Sequence, residues 1–247
     1  MSDARRNEFG QPIGPALPDW QPPARPSRQP LRGRFCSVEP LDVARHAREL
    51  FDANSQDREH RMWTYLFSGP FATFDEYERW LAERAPGTDP LFQAFVSRAS
   101  GAAVGLGAFM RIDPVAGSIE VGHIAMSPLL QRTPAATEAM YLMMRHAFEL
   151  GYRRYEWKCD SLNEGSRRAA ARLGFTFEGI FRQAIVYKGR SRDTAWYSIL
   201  DSEWPVVREA FERWLDSGNF DADGRQRRSL AELRQSLRSA GGHTDGD

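Results

Sequence analysis

The sequence has few cysteines and no excess of either charge. Only two cysteines, Cys36 and Cys159, occur in 247 residues, and neither has a second Cys or a His at ligand spacing. A disulfide framework and a zinc site are therefore not expected, and we predict a chain without a metal in a reducing compartment. The 33 basic side chains equal the 33 acidic ones, so no overall field favours nucleic acid or an anionic membrane as a partner.

Long apolar runs are also missing. No stretch approaches the roughly 18 apolar residues that a membrane span needs. The start, MSDARRNEFG, is polar and is not followed by the apolar segment of a signal peptide. These absences predict a cytoplasmic protein that binds neither membrane nor nucleic acid, with a length that suits one well-buried domain.

Proline sets the start of the chain apart from the rest. Seven prolines lie between Gln11 and Pro30, where they remove backbone donors and stop helix or sheet from propagating. We interpret residues 1–30 as an extended arm that wraps the surface, with a partner-binding proline motif as the alternative. Residues 221–247 are polar but place three leucines on one helical face, which predicts a short helix and a loose tail. The domain itself is predicted to span 31–220.

Between these ends, strand and helix patterns alternate. The predicted strands are Leu31–Leu41, Leu91–Arg98, Ala103–Arg111, Ser118–Met126, 154–159, Gly179–Tyr187 and Thr194–Leu200. The predicted helices begin at Asp42, Phe74, Pro134, Asn163 and Glu203. Short turns join the strands before the long helix as an antiparallel meander, whereas a helix connects the next strand as a crossover. The pattern predicts an α+β fold, a central mixed and mostly antiparallel twisted sheet flanked by helices.

The most informative segment is SIEVGHIAMSPLLQRTPAATEA, which joins a strand to a helix through a loop. Thr133 suits the N-cap and Pro134 the first helical position. The first turn of a helix has free N–H groups and a partial positive charge, so it can bind a phosphate without a basic side chain. The segment therefore predicts an anion site, although the strand–loop–helix pattern alone is a weak signal.

Several motifs in this order resemble the GNAT (Gcn5-related N-acetyltransferase) family. They are VGHIAMSP, the loop that leads into TEA, NEGS at 163–166 and RLGF at 172–175. The resemblance covers about residues 32–200 and is greatest to the branch of the ribosomal-protein N-terminal acetyltransferases. It implies acetyl-CoA as cosubstrate and transfer of the acetyl group to a primary amine. The implied acceptor is a small-molecule amine or a protein N-terminus.

The resemblance also implies which residues contact coenzyme A. They are Ile124, Ala125, Met126, Gln131, Arg132, Thr133, Ala135, Ala136, Thr137, Asn163, Ser166 and Arg167. Ile124 would supply the backbone N–H that stabilises the oxyanion. Both glycines that the family uses in the pyrophosphate loop are absent here, and Pro134 has no N–H to donate. This departure keeps open an alternative, a non-catalytic acyl-CoA-binding or regulatory protein.

Three side chains are candidates for proton transfer. His123 is the preferred base because its pKa lies near neutrality, with a hydrogen-bonded structural histidine as the alternative. Glu120 is the second candidate, but a separation of three residues places the two side chains on opposite faces of a regular strand, so one cavity is not expected to hold both. Tyr187 is the candidate general acid, and Ser166 or solvent could replace it. A homodimer formed through the closing helix and tail is a further expectation.

Overall fold

The computed structural model describes residues 5 to 241, over which the chain forms one eight-stranded sheet and six α-helices. The strands are Leu31–Arg32 (β1), Cys36–Pro40 (β2), Leu91–Ser97 (β3), Ala103–Asp113 (β4), Ser118–Met126 (β5), Arg154–Asp160 (β6), Thr176–Tyr187 (β7) and Arg190–Leu200 (β8). The helices are Val43–Asn54 (α1), Phe74–Ala82 (α2), Pro134–Glu149 (α3), Glu164–Leu173 (α4), Trp204–Leu215 (α5) and Leu230–Gly241 (α6).

The strand order is β1-β2-β3-β4-β5-β6-β8-β7, and every neighbouring pair is antiparallel except β5 with β6. The predicted α+β fold is confirmed. Helices α3 to α6 pack on one side of the molecule around a core that includes Ile119, Val121 and Tyr155. Helices α1 and α2 cover the opposite face, where Leu106 and Ala108 are buried. Because both faces are covered, β3 and the first part of β4 are buried at nearly every position.

The prediction of Leu31–Leu41 as a single strand is wrong. The structure breaks this segment into β1 and β2, which pair with each other across a turn. The buried carboxylate of Glu138 in α3 accepts hydrogen bonds from three successive turn amides, those of Arg34, Phe35 and Cys36, at 2.8, 2.6 and 2.8 Å. A side chain remote in sequence thus supplies the hydrogen-bond acceptors that these N–H groups would have found in an adjacent strand.

Most other elements are confirmed to within a few residues. Strand β5 covers the predicted Ser118–Met126, and α3 begins at Pro134 with the Thr133 hydroxyl as its cap. The late hairpin is longer than predicted because Lys188 and Gly189 alone join β7 to β8. Their φ values are 46° and 68°, and two positive φ angles form the turn whose twist matches that of paired strands.

The sheet opens between β5 and β6. The two strands pair in parallel over four residues, ending at Val121 and Trp157. Both strands continue beyond that point but no longer pair with each other. On its other edge β5 contains a β-bulge, because His123 and Ile124 together face the single Gly107 of β4. The bulge increases the local bend of β5 and accompanies its divergence from β6.

Both ends of the described chain contact the domain. Arg25 and Arg28 of the arm donate hydrogen bonds of 3.2 and 2.8 Å to backbone carbonyl groups of the body. Leu230 and Leu233 of α6 are buried in the same core as α3. The end of the predicted loose tail lies outside the described residues. Among residues 5 to 241, no helix is both long and apolar enough to cross a lipid bilayer.

Candidate active site

A cleft of about 1390 Å³ occupies the gap between β5 and β6. One end reaches the N-terminal turns of α3 and α4, and the other reaches the segment 61–67 that follows α1. Most side chains predicted from the sequence line it: Glu120, His123, Ile124, Ala125, Met126, Gln131, Arg132, Thr133, Ala136, Thr137, Asn163 and Ser166. The gap therefore joins a helix terminus on one side of the sheet to a separate pocket on the other.

The loop before α3 forms the expected turn without glycine. Arg132 has a φ of 61°, the left-handed conformation for which glycine is the usual residue. Thr133 then caps the helix by accepting the N–H of Ala136 at 3.3 Å. The remaining N–H groups of the first turn have no intrahelical partner, and with the helix dipole they favour an anion at this end of the cleft.

Arg172 of α4 adds a positive charge to the same corner. Its guanidinium donates to the hydroxyl of Thr137 at 3.0 Å and lies 5.3 Å from the ring centre of Trp214. No carboxylate oxygen of the described chain lies within the 4.0 Å of an ion pair with Arg172. An arginine without an acidic partner beside a helix N-terminus is suited to a phosphate. Sequence reasoning did not assign this role to Arg172, although RLGF was among the motifs that carried the resemblance.

Aromatic side chains extend this corner. Trp214 packs edge-on against Phe220 at 5.3 Å between ring centres, and its Nε1 donates to Gln226 at 2.7 Å. All three line the cleft, so a ligand at this corner would contact an apolar aromatic surface beside the Gln226 amide. No sequence signal marked them, because only the packing of α5 beside α3 brings them to the cleft.

Free backbone groups line the middle of the cleft. Beyond Val121 the edge of β5 that faces β6 has no ladder partner, and the bulge leaves a further residue unpaired on the β4 side. Ile124, the predicted oxyanion donor, lies in this stretch. A ligand that enters the gap can therefore hydrogen-bond to β5 as a neighbouring strand would.

The prediction that Glu120 and His123 lie on opposite faces of β5 is wrong. The bulge inserts one residue and reverses the alternation beyond it, so both side chains line the same cleft. The His123 imidazole makes no hydrogen bond to any described residue, and its ring centre lies 5.0 Å from that of Phe92. Burial, followed by the nearby positive charges, lowers the pKa of His123 below its usual 6.5. The imidazole is therefore neutral at pH 7 and can accept a proton.

Glu120 is engaged in a network of ion pairs. Its side chain is 4% exposed, and its Oε2 atom lies 2.6 Å from Arg111 and 2.8 Å from Lys158. Lys158 also pairs with Glu156 at 2.7 Å. The Oε2 atom of Glu120 is occupied by two cations, whereas the His123 imidazole has no hydrogen-bond partner in the described chain, so His123 is the better candidate base of the pair.

Three predicted residues do not line the cleft. The Tyr187 hydroxyl donates to Asp160 at 2.8 Å, and burial together with that carboxylate raises the pKa of Tyr187 to about 12. The Arg167 side chain does not enter the cleft, and its Nε donates to the hydroxyl of Tyr197, a residue of the core on which α4 packs, at 3.2 Å. The Ala135 side chain is buried in the core beside α3. Helical and strand periodicity did not reveal these orientations.

Aromatic residues form the wall of the far pocket. Tyr65 and Phe67 line it, and the Tyr65 hydroxyl donates to the carbonyl oxygen of Leu162 at 3.2 Å. Trp63 of the same segment turns away from the cleft and packs against Phe71 with 5.4 Å between ring centres. This pocket lies at the opposite end of the cleft from the start of α3, so it leaves room for a second ligand.

Fold and cleft together define a transferase that takes an acyl group from coenzyme A. A family model described as acetyltransferase (GNAT) domain matches residues 38–176. The chain belongs to this family, the Gcn5-related N-acetyltransferases, which transfer an acetyl group from acetyl-CoA to amines. No curated protein matches the chain.

Solved structures of the family superpose on the chain. A GCN5-related N-acetyltransferase from Brucella melitensis is 50% identical with a TM-score of 0.87, over 89% of this chain and 100% of the other. A probable GNAT acetyltransferase from Chromobacterium violaceum is 41% identical with a TM-score of 0.74, over 79% and 98%. The ribosomal-protein acetyltransferase RimL in complex with coenzyme A is 17% identical with a TM-score of 0.60, over 70% and 99%, so this likeness is one of fold.

Proposed function

We propose that the chain is an N-acetyltransferase that moves the acetyl group of acetyl-CoA to a primary amine bound in the far pocket of the cleft. The observation that supports the proposal is the gap between β5 and β6, a cleft lined by the unpaired end of β5, by the His123 imidazole and by the first turn of α3. In this proposal the phosphates bind at the start of α3 beside Arg172, and the thioester lies along Ile124.

The reaction forms a C–N bond and breaks the C–S bond of the thioester. The neutral amine attacks the carbonyl carbon, and the N–H of Ile124 stabilises the negative charge that develops on the oxygen. His123 takes the proton from the attacking nitrogen. The thiolate of coenzyme A leaves and takes a proton from solvent, since the Tyr187 hydroxyl is bonded to Asp160.

A second candidate is a non-catalytic acyl-CoA-binding or regulatory protein, which the loop without glycines suggested. The φ of 61° at Arg132 argues against it, because the turn that glycine normally permits is formed here by an arginine. Both cysteines are free and buried, which is consistent with the cytoplasmic location that we propose for the reaction.

Two measurements separate the candidates. Coenzyme A at 100 times its dissociation constant should raise the free energy of unfolding by about 2.7 kcal/mol. Thiol release from acetyl-CoA should then depend on an added primary amine. Stabilisation without thiol release across a panel of amines would favour the non-catalytic protein, and no stabilisation at millimolar acetyl-CoA would contradict both.

A further inference from the structure

Three side chains on β8 that line the cleft carry buried polar atoms without a partner in the described chain. Arg192, Thr194 and Trp196 are two residues apart, so they share one face of the strand, and all three line the cleft. The Nε of Arg192, the Oγ1 of Thr194 and the Nε1 of Trp196 are buried and bonded to no described residue. Since buried polar atoms nearly always have partners, a row of three such atoms along a cleft indicates that a ligand supplies them.

The Arg192 side chain is the centre of this row. The residue is 6% exposed, yet no carboxylate oxygen of the described chain lies within 4.0 Å of its guanidinium. The rings of Phe67 and Tyr187 hold the guanidinium, with its central carbon 5.1 and 5.7 Å from their centres. Asp160, a buried carboxylate of the same region, accepts instead from Tyr187 at 2.8 Å and from the backbone N–H of Leu162 at 2.9 Å.

Three other cations that line the cleft near Arg192 have acidic partners. Lys158 and Arg111 both pair with Glu120, at 2.8 and 2.6 Å. Arg61 pairs with Glu59. Leaving a charge buried without an anion is costly, so the buried and unmatched Arg192 favours a negative group of a ligand.

Two walls of the far pocket are joined beside Arg192. At the tip of the β7–β8 hairpin, Lys188 donates to the carbonyl oxygen of Trp63 at 2.8 Å, and Arg190 donates to that of Thr64 at 2.6 Å. These bonds tie the strand that carries Arg192 to the segment 61–67, whose Tyr65 and Phe67 line the pocket. Joined walls favour a small molecule over an extended polypeptide as the occupant.

We propose that the acceptor is a small amine that carries an anionic oxygen group, a carboxylate or a phosphate, and that Arg192, Thr194 and Trp196 bind this group. Each of the three can donate a hydrogen bond, and a row of donors beside an unmatched guanidinium suits oxygen atoms that only accept. The inference rests on the proposed function for the fate of the amine, but the binding of the anion is independent of catalysis.

Matched acceptor pairs test the inference with the full chain. One pair is β-alanine and β-alaninamide, the other is O-phosphoethanolamine and ethanolamine, and a short peptide with a free N-terminus is a third arm. The wild type should favour the anionic member of at least one pair by about tenfold or more in kcat/KM, as expected for a charge-assisted hydrogen bond. Arg192→Gln should remove most of that preference, mainly through KM. The control Arg182→Gln, exposed on β7, should retain it.

A binding measurement keeps the test independent of activity. With coenzyme A at saturation, so that its own phosphate site is filled, inorganic phosphate or propionate should raise the Tm of the wild type and not that of Arg192→Gln. Thr194→Val is a second variant, for use if Arg192→Gln does not fold. It removes one hydrogen-bond donor at nearly constant side-chain volume and should weaken the same Tm shift.

The outcomes separate this inference from the proposed function. Acetylation without preference within either pair, or an anion shift that persists in Arg192→Gln, would overturn the inference alone, as would a peptide that is the best acceptor. An Arg192-dependent shift without thiol release for any amine would support the anion site and contradict the transferase. The absence of both effects would overturn both.

Discussion

His123 has a backbone conformation that is uncommon for a residue with a side chain. Its φ is 50° in the middle of β5, where the bulge holds it. Such a conformation costs on the order of 1–2 kcal/mol. The bulge directs the imidazole into the cleft, and surrounding apolar groups such as Phe92 favour its neutral form.

Replacing His123 with Asn should lower kcat by about 100-fold or more, the lower end of what a general base contributes. Asn tolerates positive φ, so the bulge should persist. Because the pKa of His123 lies below 6.5, the wild type should stay active to below that pH and lose activity as the pH falls through the pKa. The measurement is the pH dependence of kcat in both proteins, since the titration of the amine itself is common to them.

His60→Asn is the matched control. His60 has a φ of 57°, is exposed and does not line the cleft, so its variant should keep the wild-type profile. If the loss of activity at low pH were unchanged in His123→Asn, another group would be the base.

A single buried carboxylate holds the turn between β1 and β2. Glu138→Gln should lower the free energy of unfolding by about 2 kcal/mol, because the amide keeps only one acceptor oxygen for the amides of Arg34, Phe35 and Cys36. Denaturant unfolding measures the change. Glu149→Gln, exposed at the end of the same helix, should change stability by less than about 0.5 kcal/mol. Equal effects of the two substitutions would contradict the role of Glu138.

At the scale of elements, the last turn of α4 contacts the first turn of α3, and together they form the corner that we propose for the phosphates. Helix α3 contributes its first turn, and α4 contributes Arg172, whose guanidinium contacts Thr137 at the start of α3. Neither helix forms the corner alone. If the phosphates bind there as proposed, affinity for the cofactor should depend on the packing of two elements that the loop motif does not describe.

Arg172→Met should raise the KM for acetyl-CoA about tenfold or more by removing a charge-assisted contact with phosphate. The KM for S-acetylpantetheine, which lacks the nucleotide phosphates, should change little. Arg167→Met on the same helix is the control, because Arg167 does not line the cleft and bonds to Tyr197 instead. If Arg167→Met weakened acetyl-CoA binding as strongly as Arg172→Met, this orientation of α4 would be wrong.

At the scale of the whole molecule, the arm contributes contacts to the body but none of its described residues lines the cleft. Removing residues 1–30 should lower the free energy of unfolding by about 1 to 3 kcal/mol, through loss of bonds such as those of Arg25 and Arg28. The KM for acetyl-CoA should stay within about twofold. Thermal unfolding and steady-state kinetics on the same preparation measure both quantities.

A shorter truncation provides the control for the arm. Within the described chain, the residues from Arg5 to Ile13 form hydrogen bonds only with one another. Removal of residues 1–13 should therefore leave Tm nearly unchanged. A large fall in Tm would show that this part of the arm contributes to stability.

The homodimer expected through the closing helix and the tail stays a prediction.

The spacing of apolar residues, together with Gly and Pro at the ends of elements, determined most elements and their order. This works because the apolar residues of a helix or strand recur at the spacing that places them on its buried face. Ser118–Met126 and the start of α3 are examples. The cap at Thr133 and Pro134 likewise marked the start of α3, the turn for which an anion site is predicted. These signals are available before folding because they involve neighbours along the chain.

Only the tertiary structure decided which predicted side chains meet. The bulge at His123 reversed the expected faces of β5, because its extra residue is defined by pairing with β4. Glu138 ended the first strand early, and Arg167 turned away from the cleft while Arg172 and Arg192 entered it. Partners remote in sequence set these orientations, so local propensity carries no information about them.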